Sequence, residues 1–223
     1  MNTQIMHSPA QTQTGVLAAN AVVRNTYLLL SMTLLFSAAA ASASLAFNLP
    51  HPGLLLTLAG YFGLLFATAR FRNSGLGLVF VFALTGFLGY TLGPILNTYL
   101  ALANGGQIVT TALAGTGVIF IGLSGYALVS RRNFSFMGGF LMVGILVGFF
   151  AGLAAVVFGI PALSLAVSAM FILLMAGLIL YETSNIIHGG ETNYIMATVT
   201  LYVSIFNLFT SLLHLLGFMS AEE

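Results

Sequence analysis

Apolar residues fill this chain in long, nearly unbroken stretches, punctuated by Pro, Gly pairs, Asn and Arg. Stretches of roughly 18 or more are long enough to cross a hydrocarbon core of about 30 Å as helices. The breaks predict seven spans, at 26–47, 53–69, 76–103, 107–129, 136–159, 162–181 and 193–218. A β-barrel would instead alternate apolar and polar residues over strands of about 10 residues, and "LLLTLAGYFGLLFATA" does not. Pro50 and Pro52 fall in the first connection, and Pro161 suits the first turn of the sixth helix, where its missing N–H leaves no bond unmade. Pro94 predicts a kink or tilt in the long third span. The pattern leaves a polar N-terminal tail over 1–25, a transmembrane domain over 26–218 and a short C-terminal tail over 219–223. The expected fold is an all-α integral membrane bundle of seven helices.

Composition agrees with the pattern. Charged residues make up 4% of the chain, against about 25% in a soluble domain, and the mean hydropathy is +1.07. Charge then adds direction. There is no lysine, and Arg24, Arg70, Arg72, Arg131 and Arg132 all fall on one side of the expected bundle. The positive-inside rule makes that side cytoplasmic. The N-terminus and the loop holding His188 and Glu191 are then inside, and Glu222 and Glu223 are outside. The first 25 residues show no compact apolar core with a cleavage site, so no removable signal peptide is expected. Absence of cysteine excludes disulfides and thiolate metal sites. Asn133-Phe134-Ser135 matches a glycosylation acceptor, but its cytoplasmic placement makes the match a chance one. Five scattered arginines form no basic surface for nucleic acid.

Small residues bear on packing. Gly144, Gly148 and Gly152 recur at four-residue spacing, and Gly86, Gly89 and Gly93 make a similar stripe. Such stripes let helix backbones approach closely where lipid supplies no hydrophobic drive for association. They read either as intramolecular packing or as the face of a homo-oligomer, as does "SAAAASAS" in the first span.

Catalytic patterns are thin. "GLSG" at Gly122 to Gly125 matches the Gly-x-Ser-Gly nucleophile pattern of rhomboid-type intramembrane proteases, with His188 and His214 available as bases. A serine nucleophile needs its base within about 3 Å. His214 lies about 20 residues into the last span, near the opposite membrane face from Ser124, and nothing in the sequence brings His188 close. No zinc-binding His-Glu-x-x-His, nucleotide-binding Gly-rich loop or cysteine cluster occurs. No catalytic, cofactor or metal residues are therefore expected.

Glu182 stands out, because no Asp or Glu precedes it. A carboxylate at membrane depth is expected to face the bundle interior or a water-filled cavity and to have a partner. On helical spacing Glu182 and Asn185 share one face, while Thr200, Ser204 and Asn207 form a stripe on the last helix. Two facing polar stripes would make a buried site. The alternative is that Glu182 snorkels to the cytoplasmic interface and ends its helix.

At this point the residues carry a resemblance. "LYETSNIIHGGETNYI", "LYVSIFNLFTSLL", "TGFLGYTLGPILN", "RNTYLLLSMTLLFSA" and "SFMGGFLM" together resemble the Bax inhibitor-1 family of seven-helix membrane proteins, over essentially the whole chain. The resemblance implies a bundle whose last helix is central and surrounded by the other six. It also implies two functions. Bacterial inner-membrane members resemble modulators of FtsH, the membrane-anchored ATP-dependent protease, which they bind while being poorly processed substrates. A flexible tail such as residues 1–23 would suit the unfolding motor as a handle. In the wider family, paired acids on the last two helices resemble a pH-sensitive plug in a calcium leak, sharing a proton because two adjacent carboxylates do not ionise together cheaply. Here the first acid falls on Glu182 and the second on Ser204, which does not titrate, and a family arginine corresponds to Arg70. Glu182 is then expected to close the cytoplasmic end of the bundle through Ser204, Asn207 or Arg70.

Overall fold

A computed structural model describes residues 9–221. Seven α-helices follow one another: α1 (Pro9–Ala46), α2 (Leu54–Phe71), α3 (Gly75–Leu100), α4 (Gly105–Ser130), α5 (Gly138–Phe158), α6 (Pro161–Ile187) and α7 (Tyr194–Ala221), with one 3-10 turn at Ser135–Met137 before α5. No strand occurs among the described residues. All seven helices are long and apolar enough to cross a membrane.

Local chemistry sets most boundaries near the expected ones. Pro161 opens α6 at its first turn. Gly159 ends α5 at φ 61° and Gly189 follows α6 at φ 74°, a left-handed conformation that glycine adopts without strain. Arg131 takes the same conformation after α4, at φ 49°. Pro94 lies inside α3 without ending it.

Two boundaries differ from expectation. The first helix begins at Pro9, so the segment expected as a flexible tail is helical from that point. Nothing between Gln11 and Arg24 breaks a helix outright, and a helix propagates readily from a nucleated span. Residues 1–8 and the carboxylates of Glu222 and Glu223 lie outside the described residues. At the other end, α6 runs to Ile187 rather than stopping at 181. Glu182 is therefore inside its helix.

The last helix is central: α7 touches α1, α2, α3, α4 and α6. It is ringed by five helices rather than six, because α5 lies outside and packs on α6. The three clusters of the core all draw on α7, through Leu201 and Tyr202, then Leu208, then Phe209 and Leu213. Both glycine stripes are used within the chain. A Cβ on Gly144 would lie 2.6 Å from Leu174, and one on Gly148 would lie 2.8 Å from Met170 and Phe171, so this stripe seats α6 against α5. Gly86, Gly89 and Gly93 receive Phe36, Ser37 and Ser44 of α1. Close backbone approach replaces the hydrophobic drive that lipid does not supply.

Candidate functional site

Successive residues of an α-helix point about 100° apart, so the last turns of α6 present three directions in sequence. Glu182, Thr183 and Ser184 are all buried, and each serves a different part of the bundle.

Glu182 is 5% exposed. It continues, one turn on, the Met175 and Leu178 stripe of α6, which walls a cleft of about 710 Å³ between α2 and the α6–α7 pair. Its carboxyl is within side-chain reach of Asn185, and the charge of Glu191 is close enough to be felt. Burial rules out snorkelling. A helix that ends at Ile187 holds this side chain inside the bundle.

Thr183 faces the opposite way, towards α1 and α4. Its hydroxyl lies 3.2 Å from the Tyr27 hydroxyl and 3.3 Å from Ser124 Oγ, and Tyr27 and Ser124 are bonded to each other. Hydroxyl groups of three helices meet here. Ser184 turns to the α4–α5 loop. Its hydroxyl donates to the Arg132 carbonyl (2.9 Å) and accepts the Phe134 N–H (3.0 Å). One turn on, His188 places Nδ1 2.8 Å from the Ser184 carbonyl and Nε2 3.1 Å from the Arg131 carbonyl. The left-handed turn at Arg131 thus finds a partner for its carbonyl in α6.

The α6–α7 connection reaches the remaining loop. Asn193 accepts the N–H groups of Ile195 and Met196 at 3.1 Å each, which caps α7. Its side-chain amide donates to the Arg72 carbonyl (3.1 Å) and to Asn73 Oδ1 (2.8 Å). Glu191 accepts the Asn193 N–H at 2.7 Å. Through His188 and Asn193, one short connection ties down the ends of α4 and α2.

The residues expected beside Glu182 are placed differently. Ser204 is fully buried, but its hydroxyl donates to the Thr200 carbonyl of its own helix at 2.7 Å. Asn207 lines the cleft and donates to the Val203 carbonyl at 2.8 Å. Arg70 is exposed at the end of α2 with its guanidinium over the Phe71 ring, 5.8 Å from the centroid. Only Asn185 is brought to Glu182, and an adjoining Cβ on Gly190 would collide with that amide. Ser124 is bonded to Tyr27 and Thr183, and neither histidine weighed as its base is bonded to it. His188 is engaged at Arg131 and Ser184, and His214 Nδ1 lies 2.8 Å from Ser168 Oγ in the other half of the bundle. No group of three or more His, Asp or Glu among the described residues is placed to hold a metal ion.

Tyr27, Ser124, Thr183, Ser184 and Asn193 were not singled out by sequence as one network. The available signal was their polarity in an apolar chain, but hydroxyls bond to their own helix as easily as to a neighbour, as Ser204 does.

Comparison with known proteins supplies the remaining observation. The family described as inhibitor of apoptosis-promoting Bax1 matches residues 19–221. A protein of Escherichia coli named modulator of FtsH protease YccA is 54% identical, over 96% of this chain and 98% of its own length. An uncharacterized protein of Pseudomonas aeruginosa is 52% identical over 91% of both chains. An uncharacterized membrane protein of Vibrio cholerae is 44% identical over 98% of this chain and all of its own.

Proposed function

This chain belongs to the Bax1-inhibitor family, and from that premise we propose that it is a non-enzymatic, multi-pass protein of the bacterial inner membrane that binds FtsH and modulates its proteolysis. The observation that carries this reading is the end-to-end match to the relative named as a modulator of that protease. The same relative in another strain is named an inner membrane protein. The five arginines set the N-terminus in the cytoplasm and the C-terminus in the periplasm. The bundle suits the role physically, since glycine-seated seams and loops tied by His188 and Asn193 resist extraction by an unfolding motor.

A second reading, a pH-sensitive cation leak, draws on the buried Glu182 at the end of a cleft. Against it, position 204 holds a serine whose hydroxyl is bonded to Thr200, so no second carboxyl is there to share a proton. Glu182 is accordingly assigned a structural role.

Purified FtsH in proteoliposomes, degrading a standard membrane substrate with this protein at rising ratios, tests the first reading. Degradation is expected to slow as the ratio rises. An unchanged rate, with the protein folded in the bilayer, removes the reading and directs the same vesicles to calcium flux against pH. Glu182→Gln is expected to leave modulation intact, and loss of modulation with insertion and protease binding preserved would refute the structural assignment. Deleting residues 2–20 is expected to slow the protein's own degradation, which separates a competing substrate from an inhibitor.

A further inference from the structure

The cleft between α2 and the α6–α7 pair has the dimensions of one leaflet. On α7 it runs from Met196 to Asn207, which at 1.5 Å per residue is about 16 Å. That is about half of a hydrocarbon core of ~30 Å. Its open side is rimmed by Phe66, which is 74% exposed. In a bundle of this kind that exposure is to lipid rather than water. Its walls offer mostly hydrocarbon, from Leu65, Ile145, Met175, Leu178, Val199 and Val203, and the Asn207 amide donates within its own helix to Val203.

The cytoplasmic mouth is cationic. Phe62, Phe66 and Ala69 face the cleft from α2, and the same stripe reaches Arg72 one turn later. Arg72 keeps helical dihedrals (φ −54°, ψ −22°), so the register holds to that residue. Arg70 and Arg72 are both exposed. The positive end of the α7 dipole begins at Tyr194, two residues before Met196 enters the cleft wall. The acids at this end are turned to the protein, Glu182 by burial and Glu191 by its bond to Asn193.

We propose that this cleft binds one anionic phospholipid of the cytoplasmic leaflet, with an acyl chain between α2 and α7 and the phosphate on Arg70 and Arg72. Charge complementarity at the mouth selects the headgroup, and the cleft's half-membrane length selects a chain that enters from the same side. Paired basic side chains between helices at the cytoplasmic face are suited to such headgroups. The proposal is independent of the protease reading.

The chain contains no tryptophan, so a single introduced indole reports its own surroundings. Phe66→Trp places one at the cleft, and Val118→Trp places one on the lipid face of α4, where the native side chain is 72% exposed. The full chain is reconstituted in phosphatidylcholine vesicles containing phosphatidylglycerol, with the acyl chains of one lipid or the other brominated. Brominated phosphatidylglycerol is expected to quench the Phe66→Trp reporter in preference to brominated phosphatidylcholine, and to show no preference at the Val118→Trp reporter. The preference is expected to fall by on the order of fivefold for each of Arg70→Gln and Arg72→Gln, and to survive Arg70→Lys and Arg72→Lys. Equal quenching by the two lipids at both reporters would mean bulk lipid only, and overturns the proposal. So does a preference that persists in the doubly Gln-substituted protein, or one that is lost in the Lys variants.

Discussion

Two seams of this bundle differ in kind: one joins α1 to α3, and the other separates α2 from the α6–α7 pair. On one side of α3, the stripe Gly86, Gly89 and Gly93 lets α1 come so close that Ser37 and Ser44 occupy the space of missing side chains. On the other side of the bundle, α2 packs along α3 and barely touches α7, and Phe66 stands exposed at the rim of a cleft, with Phe62 edge-on to Phe149 of α5. Residue size decides between the two outcomes. In lipid there is no water to drive apolar faces together, so helices join where backbones can meet and stay apart where bulky side chains face the bilayer.

The closed seam should be the easier to break. Gly89→Ala aims a methyl group at the backbone carbonyl of Ser37, which has no rotamer to escape into. A loss of about 1–3 kcal/mol is expected, read as a fall in thermal unfolding temperature in detergent. An unchanged temperature would show that α1 and α3 are not locked here.

Tyr202→Phe comes next. The Tyr202 hydroxyl lies 2.5 Å from Ser37 Oγ and donates to the Thr85 carbonyl at 3.2 Å, joining α7 to α1 and α3 beneath the same seam. Leaving those buried groups short of a partner is expected to destabilise by about 1–2 kcal/mol, measured by the same unfolding. A Ser37→Ala, Tyr202→Phe pair should cost less than the sum of the singles, since the two groups share one bond.

Ser184→Ala sharpens the comparison at the loops. It removes the hydroxyl that holds Arg132 and Phe134, with a mean effect near 0.6 kcal/mol for such bonds in a membrane protein. Global stability should barely move, but trypsin added to the cytoplasmic face should cut after Arg131 and Arg132 several times faster. Equal cleavage rates would detach the α6 network from the loop.

The smallest effect is expected on the open seam. Phe66→Ala at the cleft rim, 74% exposed, should stay within about 0.5 kcal/mol of the parent. A larger loss would mean that α2 is held to α6 and α7 by contacts across the cleft, and that the seam is closed in the bilayer.

Much of this architecture was legible beforehand. Hydropathy located all seven helices. Around Glu182 legibility fell off. Its burial was foreseeable from the energetics of a carboxylate in hydrocarbon, but an expected helix end at 181, against Ile187, placed it nearly two turns too near the interface. Its expected partners Ser204, Asn207 and Arg70 have other engagements, with Thr200, Val203 and the Phe71 ring. The groups that do organise this end, Tyr27, Ser124, Thr183, Ser184 and Asn193, come from four separate stretches of chain.

Sequence by itself determined the class of the protein, the number of spans and its family, because each of these depends on local composition or on matching along the chain. Tertiary structure alone decided which faces turn inward. A soluble helix declares its buried face by a polar one opposite, whereas these helices meet lipid on one side and protein on the other, and both are apolar. The glycine stripes could therefore have served a second copy as well as a neighbouring helix until the positions of Phe36, Ser37, Leu174 and Phe171 settled it. The same ambiguity hid the cleft beside α2, which exists because α2 does not close on α5, α6 and α7 along its length.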